Sequence, residues 1–266
     1  MNLRISTAPH IHHPVTTQRL MIYVLVALLP TTAVGIYAFG LPALMLLAIS
    51  CVTAVLSEFL WQKIAKKRVL ISDCSALVTG LILGLNLPAN APWWLAVIGS
   101  AFAVILVKQL FGGLGDNFLN PAMAARAVLL ASWPVHMTSF VLPTFFSGAD
   151  AVTGATPLAT KSAQLMDLFM GNIPGTIGEV SKVAILIGFA YMLLRKVISW
   201  RIPVVMMASF GLCAVLFGME QDLATSLLSG GILFGAVFMA TDYTTCPMSA
   251  VGQYIYAVGC GVIIAV

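Results

Sequence analysis

The chain has 266 residues, 60% of them hydrophobic and only 8% charged. A soluble domain of this size cannot hide that much apolar surface, and apolar runs near bilayer-crossing length recur, so the chain reads as an all-α polytopic membrane protein. The formal net charge of +4 is small and makes no nucleic-acid patch, so its placement says more than its sum.

A polar lead segment holds His10, His12 and His13 between prolines (APHIHHP), which reads as a surface segment packing on a neighbour. The first apolar run is full length and begins after residue 19, unlike a cleavable signal. The first helix is predicted over Leu20–Phe39, bent at Pro30, and the second over Leu41–Trp61 after a Gly40–Pro42 turn. The basic run KIAKKR follows. The third element, 75–87, is short before Pro88 and reads as a broken or re-entrant helix. The fourth spans 94–111 and reaches Lys108. The fifth spans 118–133 and carries Arg126. Residues 134–179 form a long polar connection. Further helices are predicted over 180–194, 202–217, 223–240 and from Ala250 onward.

Basic residues set the orientation. Ten of 13 fall on the side assigned to the cytoplasm: Arg4, Arg19, Lys63, Lys66, Lys67, Arg68, Lys108, Arg195, Lys196 and Arg201. Only Lys161 and Lys182 fall outside, with Asp150, Asp167, Glu179, Glu220 and Asp222. This places the N-terminus in the cytoplasm and residues 134–179 outside it.

SALVTGLILGLNLP (75–88) aligns with SLLSGGILFGAVFM (226–239) through Ser75/Ser226, Leu77/Leu228, Gly80/Gly231 and Gly84/Gly235. Both copies carry a G-x-x-x-G face. Each is the third element of its half, and five elements precede the second half, so the halves are predicted to be inverted repeats. Nine elements are visible and ten are expected, the missing one lying after Val266. The chain thus divides into a first repeat (1–133), an extracytoplasmic loop (134–179) and an incomplete second repeat (180–266).

Arg126 inside a short span is a site candidate because burying a charge is expensive. It could neutralise a reduced cofactor or a phosphate, shape an ion path, or pair with Asp116 or a helix-end carbonyl. Asn117 and Asn120 read as the start of a broken helix whose free amides line a cavity. Asp73 and Asp242 flank the two repeat-related elements as candidate cation contacts, or as solvated helix-flank carboxylates. Five cysteines, at 51, 74, 213, 246 and 260, form no CxxC pair, and no metal set is read. The heptapeptide DAVTGAT (150–156) reads as a turn, an anion-binding nest or a site of covalent modification.

Asp-x-x-Ser/Thr-Gly-Ala-Thr resembles the acceptor motif for covalent flavinylation. Together with APHIHHPVTTQRLMIYVLVALLP, NFLNPAMAARA, GEVSKVAIL, LRKVISWRIP and FMATDYTTCPMS, it makes the whole chain resemble one family. That family is the D-type membrane component of the Rnf electron-transport complex, related to the B-type component of the sodium-pumping NADH:quinone oxidoreductase. The short lead segment before the first helix favours the Rnf side. The resemblance implies a fold similar to urea transporters and FMN joined by a phosphoester to Thr156, with Asp150, Thr153, Gly154 and Ala155 completing the motif. It also implies a second, non-covalent flavin such as riboflavin. The implied role is an electron relay in ferredoxin:NAD oxidoreduction coupled to Na⁺ or H⁺ movement across the cytoplasmic membrane. Implied partners are the G-type flavin subunit, the A- and E-type membrane subunits and the C-type NAD subunit, with a flavin transferase acting during maturation. A solute channel of the same fold without a redox cofactor, and a plain membrane anchor for redox partners, are the competing readings.

Overall fold

The computed structural model describes residues 16–67, 69–143, 165–218, 223–228 and 230–265. Local sequence sets most helix starts. Thr16 accepts a hydrogen bond from the Arg19 amide and opens α1 (Thr17–Phe39), and Pro30 sits inside α1 without ending it. Gly40, at φ +68°, turns the chain into α2 (Leu41–Ile64). α1 and α2 are long and apolar enough to cross a bilayer. A short 3₁₀ turn (Ile71–Asp73) leads into α3 (Ser75–Leu85). α4 (Trp93–Ala101) continues as a π-helical segment over Phe102–Gln109. Asn120 caps α5 (Pro121–Ser132) by accepting from the Ala122 and Met123 amides, with Pro121 in the first turn. α6 (Pro134–Thr138) and α7 (Leu165–Met170) are short, of one to two turns. α8 (Lys182–Leu194) starts at a Ser181 cap, and α9 (Arg201–Leu216) follows.

The stretch predicted as one helix over 223–240 is divided. α10 (Leu223–Leu228) ends before Gly230, which adopts φ +69°. α11 (Ile232–Phe234) then continues as a π-helical turn over Gly235–Met239. The adjacent Gly230 and Gly231 permit the break, and a Cβ at Gly231 would collide with Glu179. α12 (Ala250–Ala265) is the last helix described. The two G-x-x-x-G faces also differ. Gly80 and Gly84 bring α3 against α2, where a Cβ on Gly80 would lie 2.7 Å from the Ser50 carbonyl oxygen. Gly231 meets Glu179 and Arg126 instead, and a Cβ on Gly235 would meet nothing within 4 Å among the described residues.

α2 packs along α3 and α4, α1 along α8, and α9 along α12. One apolar core runs through both halves and includes Leu28, Leu83, Leu95, Leu129, Ile185 and Phe234. The outside stays apolar: Val52 and Leu60 on α2, Leu212 and Val215 on α9, and Val251 and Ile263 on α12 are exposed. Large apolar side chains facing outward on helix after helix suit lipid, not water. Arg195 stacks over Tyr23 and Tyr191, tying the end of α8 to the start of α1.

The segment after α7 is pinned to the broken end of α3. The Gly178 amide donates to the Leu85 carbonyl (2.7 Å), the Ile177 amide donates to Leu87 (3.1 Å), and Pro88 bridges to Thr176. Half-helix ends inside a membrane protein need such partners, because no water is there to supply them.

Candidate functional site

The region of α5 places its polar residues at two separate cavities. The first is small, about 70 Å³, and its lining includes Ser75, Lys108, Asn117, Asn120, Thr241 and Asp242. The Asn120 carbonyl oxygen is spent on its capping bonds. Its amide group points across to the Met239 carbonyl (3.4 Å) and the Asp242 carboxylate (3.5 Å). Asn117 is buried, and its Oδ1 has no hydrogen-bond partner among the described residues. Arg126 lies apart from these asparagines. It lines a second cavity of about 250 Å³ with Phe140, Gly175, Glu179, Gly230 and Gly231.

Arg126 pairs with Glu179 and not with Asp116. Its guanidinium donates to Asn86 Oδ1 at 2.6 Å and lies 3.5 Å from Glu179 Oε1. The second contact is within charge-pairing range but is not aligned as a hydrogen bond, and Glu179 Oε1 has no hydrogen-bond partner among the described residues. Asn86 sits at the end of α3, where its amide donates to the Ile82 carbonyl (2.7 Å) and reaches Met239 Sδ (3.7 Å). Lys182 is fully buried, and its Nζ donates to the backbone carbonyls of Glu179 (2.6 Å) and Gly230 (3.4 Å).

Glu179 and Lys182 therefore do not lie in solvent. Nor does Lys108, which is buried against Glu58 at 2.7 Å with both side chains 2% exposed. Lys108 also donates to Ser75 Oγ (2.5 Å), Ser75 donates to Asp73 Oδ1 (2.8 Å), and Gln109 donates to Glu58 Oε1 (2.6 Å). Arg19, Lys63, Lys66, Lys67, Arg195 and Lys196 stay exposed, as an orientation signal requires. Glu58 and Lys108 were open to discovery from sequence, since both fall inside predicted spans. Asn86 and Glu179 carried no such signal, because only the fold brings them to Arg126.

Asp73 and Asp242 are not brought to one place. Asp73 holds the start of α3 through the Ser75 amide and hydroxyl, and it lines a further cavity of about 410 Å³ beside Glu58, Gln62 and Gln109. Asp242 faces the first cavity and accepts from the Thr244 hydroxyl (2.9 Å) and amide (3.4 Å). Burial pushes the Asp242 carboxyl above the ordinary carboxylate value, and the Thr244 bonds offset part of that rise. Among the described residues, no group of three or more His, Cys, Asp or Glu side chains is placed to hold a metal ion. Asp150, Thr153, Gly154, Ala155 and Thr156 lie outside the described residues, as do His10, His12 and His13.

The sequence of residues 4–266 matches the model of the NQR2, RnfD, RnfE family. It is 49% identical to the D component of the Na(+)-translocating ferredoxin:NAD(+) oxidoreductase complex of Acetobacterium woodii, over 99% of this chain and 84% of that protein. It is 37% identical to the D component of the proton-translocating ferredoxin:NAD(+) oxidoreductase complex of Clostridium ljungdahlii, over 97% of this chain and 83% of that one. The D component of the ion-translocating oxidoreductase complex of Halorhodospira halophila is 39% identical, over 96% and 84%. A match along nearly the whole chain, on a fold of lipid-facing helices, makes this protein a member of the NQR2, RnfD, RnfE family.

Proposed function

We propose that the chain is the D-type membrane component of an ion-translocating ferredoxin:NAD⁺ oxidoreductase, relaying electrons through FMN joined to Thr156. The observation that carries this reading is the 49% identity over 99% of the chain to a relative bearing that name. The DAVTGAT motif supplies the attachment point. In this reading Thr156 lies on the extracytoplasmic side of the inner membrane, and the other subunits of the complex are the partners.

The second cavity supports the covalent site. Arg126 and Glu179 line it, and Lys182, which does not, is buried against the Glu179 and Gly230 carbonyls, so two cations stand to one carboxylate in its neighbourhood. Such a surplus favours a group that gains negative charge. Thr156 lies sixteen positions after Phe140 and nine before Leu165, so the chain is long enough to bring the motif to the cavity. At about 250 Å³ the cavity falls below the usual range of ligand pockets, roughly 300–1,000 Å³, so it would take only part of an FMN. Bound flavin supplies the electron chemistry. The protein's part is charge and position: Arg126 faces the cavity, Asn86 holds one end of its guanidinium, and Glu179 offsets part of its charge.

The first cavity fits a second flavin poorly. Asn117 and Asn120 offer amide donors and an unused acceptor suited to a flavin's polar edge, but about 70 Å³ is far too small for the ring system. No electron step is assigned there. An inverted-repeat arrangement is supported by matching pairs, since α2 lies along α4 as α9 lies along α12.

The test is in-gel flavin fluorescence of the denatured subunit, expressed with a flavin transferase. Wild type is expected to fluoresce and Thr156→Val to lose the signal entirely. A dark wild type beside a working transferase control would return DAVTGAT to a turn and favour a solute channel.

A further inference from the structure

A lysine seldom ends fully buried unless its charge is matched, and Lys182 is fully buried. Its ammonium donates to two backbone oxygens, the Glu179 carbonyl at 2.6 Å and the Gly230 carbonyl at 3.4 Å. The first lies just ahead of α8. The second lies in the break between α10 and α11, where Gly230 adopts φ +69°. A carboxylate stands beside them. The Glu179 side chain packs against Gly231, where a Cβ would collide with its Oε1, and it is near enough to attract the Lys182 charge. That oxygen is buried and has no hydrogen-bond partner among the described residues. Arg126 stands 3.5 Å from it without a hydrogen bond and donates its short bond to Asn86 instead.

Backbone carbonyls at an interrupted helix are what membrane transport proteins use to coordinate Na⁺, and hard cations take oxygen donors, carboxylates among them. An ammonium is likewise a monovalent cation satisfied by oxygens. We propose that the space around Lys182 Nζ is a monovalent-cation site at the helix break, filled in this chain by its own lysine. The tethered ammonium joins the Gly230 turn to the start of α8 and balances Glu179 at every ion concentration. A diffusible ion would do both only when bound. The site needs no cofactor. Shortening the side chain vacates it and leaves its oxygens and its negative charge for Na⁺.

The experiment measures the thermal midpoint of this subunit in the assembled complex, purified in detergent, for wild type, Lys182→Ala and Lys182→Met. Each is heated in NaCl and in choline chloride of equal ionic strength. Lys182→Ala is expected to melt below wild type in choline chloride and to gain about 4 °C more than wild type from NaCl, as for a site at roughly ten times its Kd. Lys182→Met fills the space without the charge and is expected to respond no more than wild type. Na⁺ held elsewhere in the complex raises all three alike and cancels. A Lys182→Ala response equal to that of wild type overturns the proposal and leaves Lys182 a plain structural donor. A Lys182→Met response as large as that of Lys182→Ala also overturns it, because the ion then binds elsewhere. Should Lys182→Ala fail to assemble, Lys182→Ser, which keeps an oxygen in the gap, takes the same test. Failure of both to assemble in NaCl overturns the proposal.

Discussion

Two ion pairs inside the helical body meet opposite standards. Glu58 and Lys108 approach to 2.7 Å, are each 2% exposed, and are stitched to Ser75 and Gln109. Arg126 and Glu179 stand 3.5 Å apart beside a cavity, and the arginine is partly open to it. A buried charge is tolerable only when paired and hydrogen-bonded, so the first pair has the form of a structural lock. The second leaves attraction unspent and its cation partly open to a cavity. The same chemistry, a carboxylate with a cation, is thus closed in one place and accessible in the other.

The largest effect is expected at the tight pair. Lys108→Ala strands the Glu58 carboxylate in an apolar interior, and losses of about 3–5 kcal/mol are typical when one partner of a buried pair is removed. The variant subunit is expected to accumulate poorly and to lose most of its thermal stability in detergent. Glu58→Gln combined with Lys108→Met should recover much of it. A single Lys108→Ala as stable as wild type would remove the distinction between the two pairs.

Arg126→Gln is expected to cost less, about 1–3 kcal/mol, because it leaves the Glu179 carboxylate without its closest side-chain cation. The subunit should still assemble. A larger stability loss than that of Lys108→Ala would reverse the comparison.

The smallest effect concerns Asp242. Its carboxyl is raised by burial, so the folded chain holds that proton more tightly than the unfolded chain does. The associated stability is present at low pH and is lost as pH rises from the ordinary value of 3.8 through the folded one. Asp242→Asn removes the titration. The thermal midpoint of the variant should match wild type under acidic conditions and exceed it increasingly toward neutral pH. A gap that narrows as pH rises would show that ionised Asp242 is stabilised, not strained.

Helix content and the main helix positions were legible because apolar runs, the helix start at Asn120 and the Gly40 turn act locally. The break at Gly230–Gly231 was not, since a pair of glycines within an apolar run does not by itself show what must be cleared. That requirement comes from Glu179, some fifty positions earlier in the chain. The same limit applies at the site. Arg126 stood out because a charge within an apolar span is costly wherever it points. Its partners Asn86 and Glu179 did not, because each lies near a helix end where polar residues are ordinary. The charge count tallies sign and not burial, so it could not show that Lys66 and Lys196 are exposed while Lys108 and Lys182 are buried.

Met239 stands between Asn120, which lines the first cavity, and Asn86, which bonds Arg126 at the second. Asn120 reaches its carbonyl oxygen from one side and Asn86 reaches its sulfur from the other. In mechanical terms it is a pivot with a grip at each end. A rotation of the π-helical turn after α11 would alter both contacts at once.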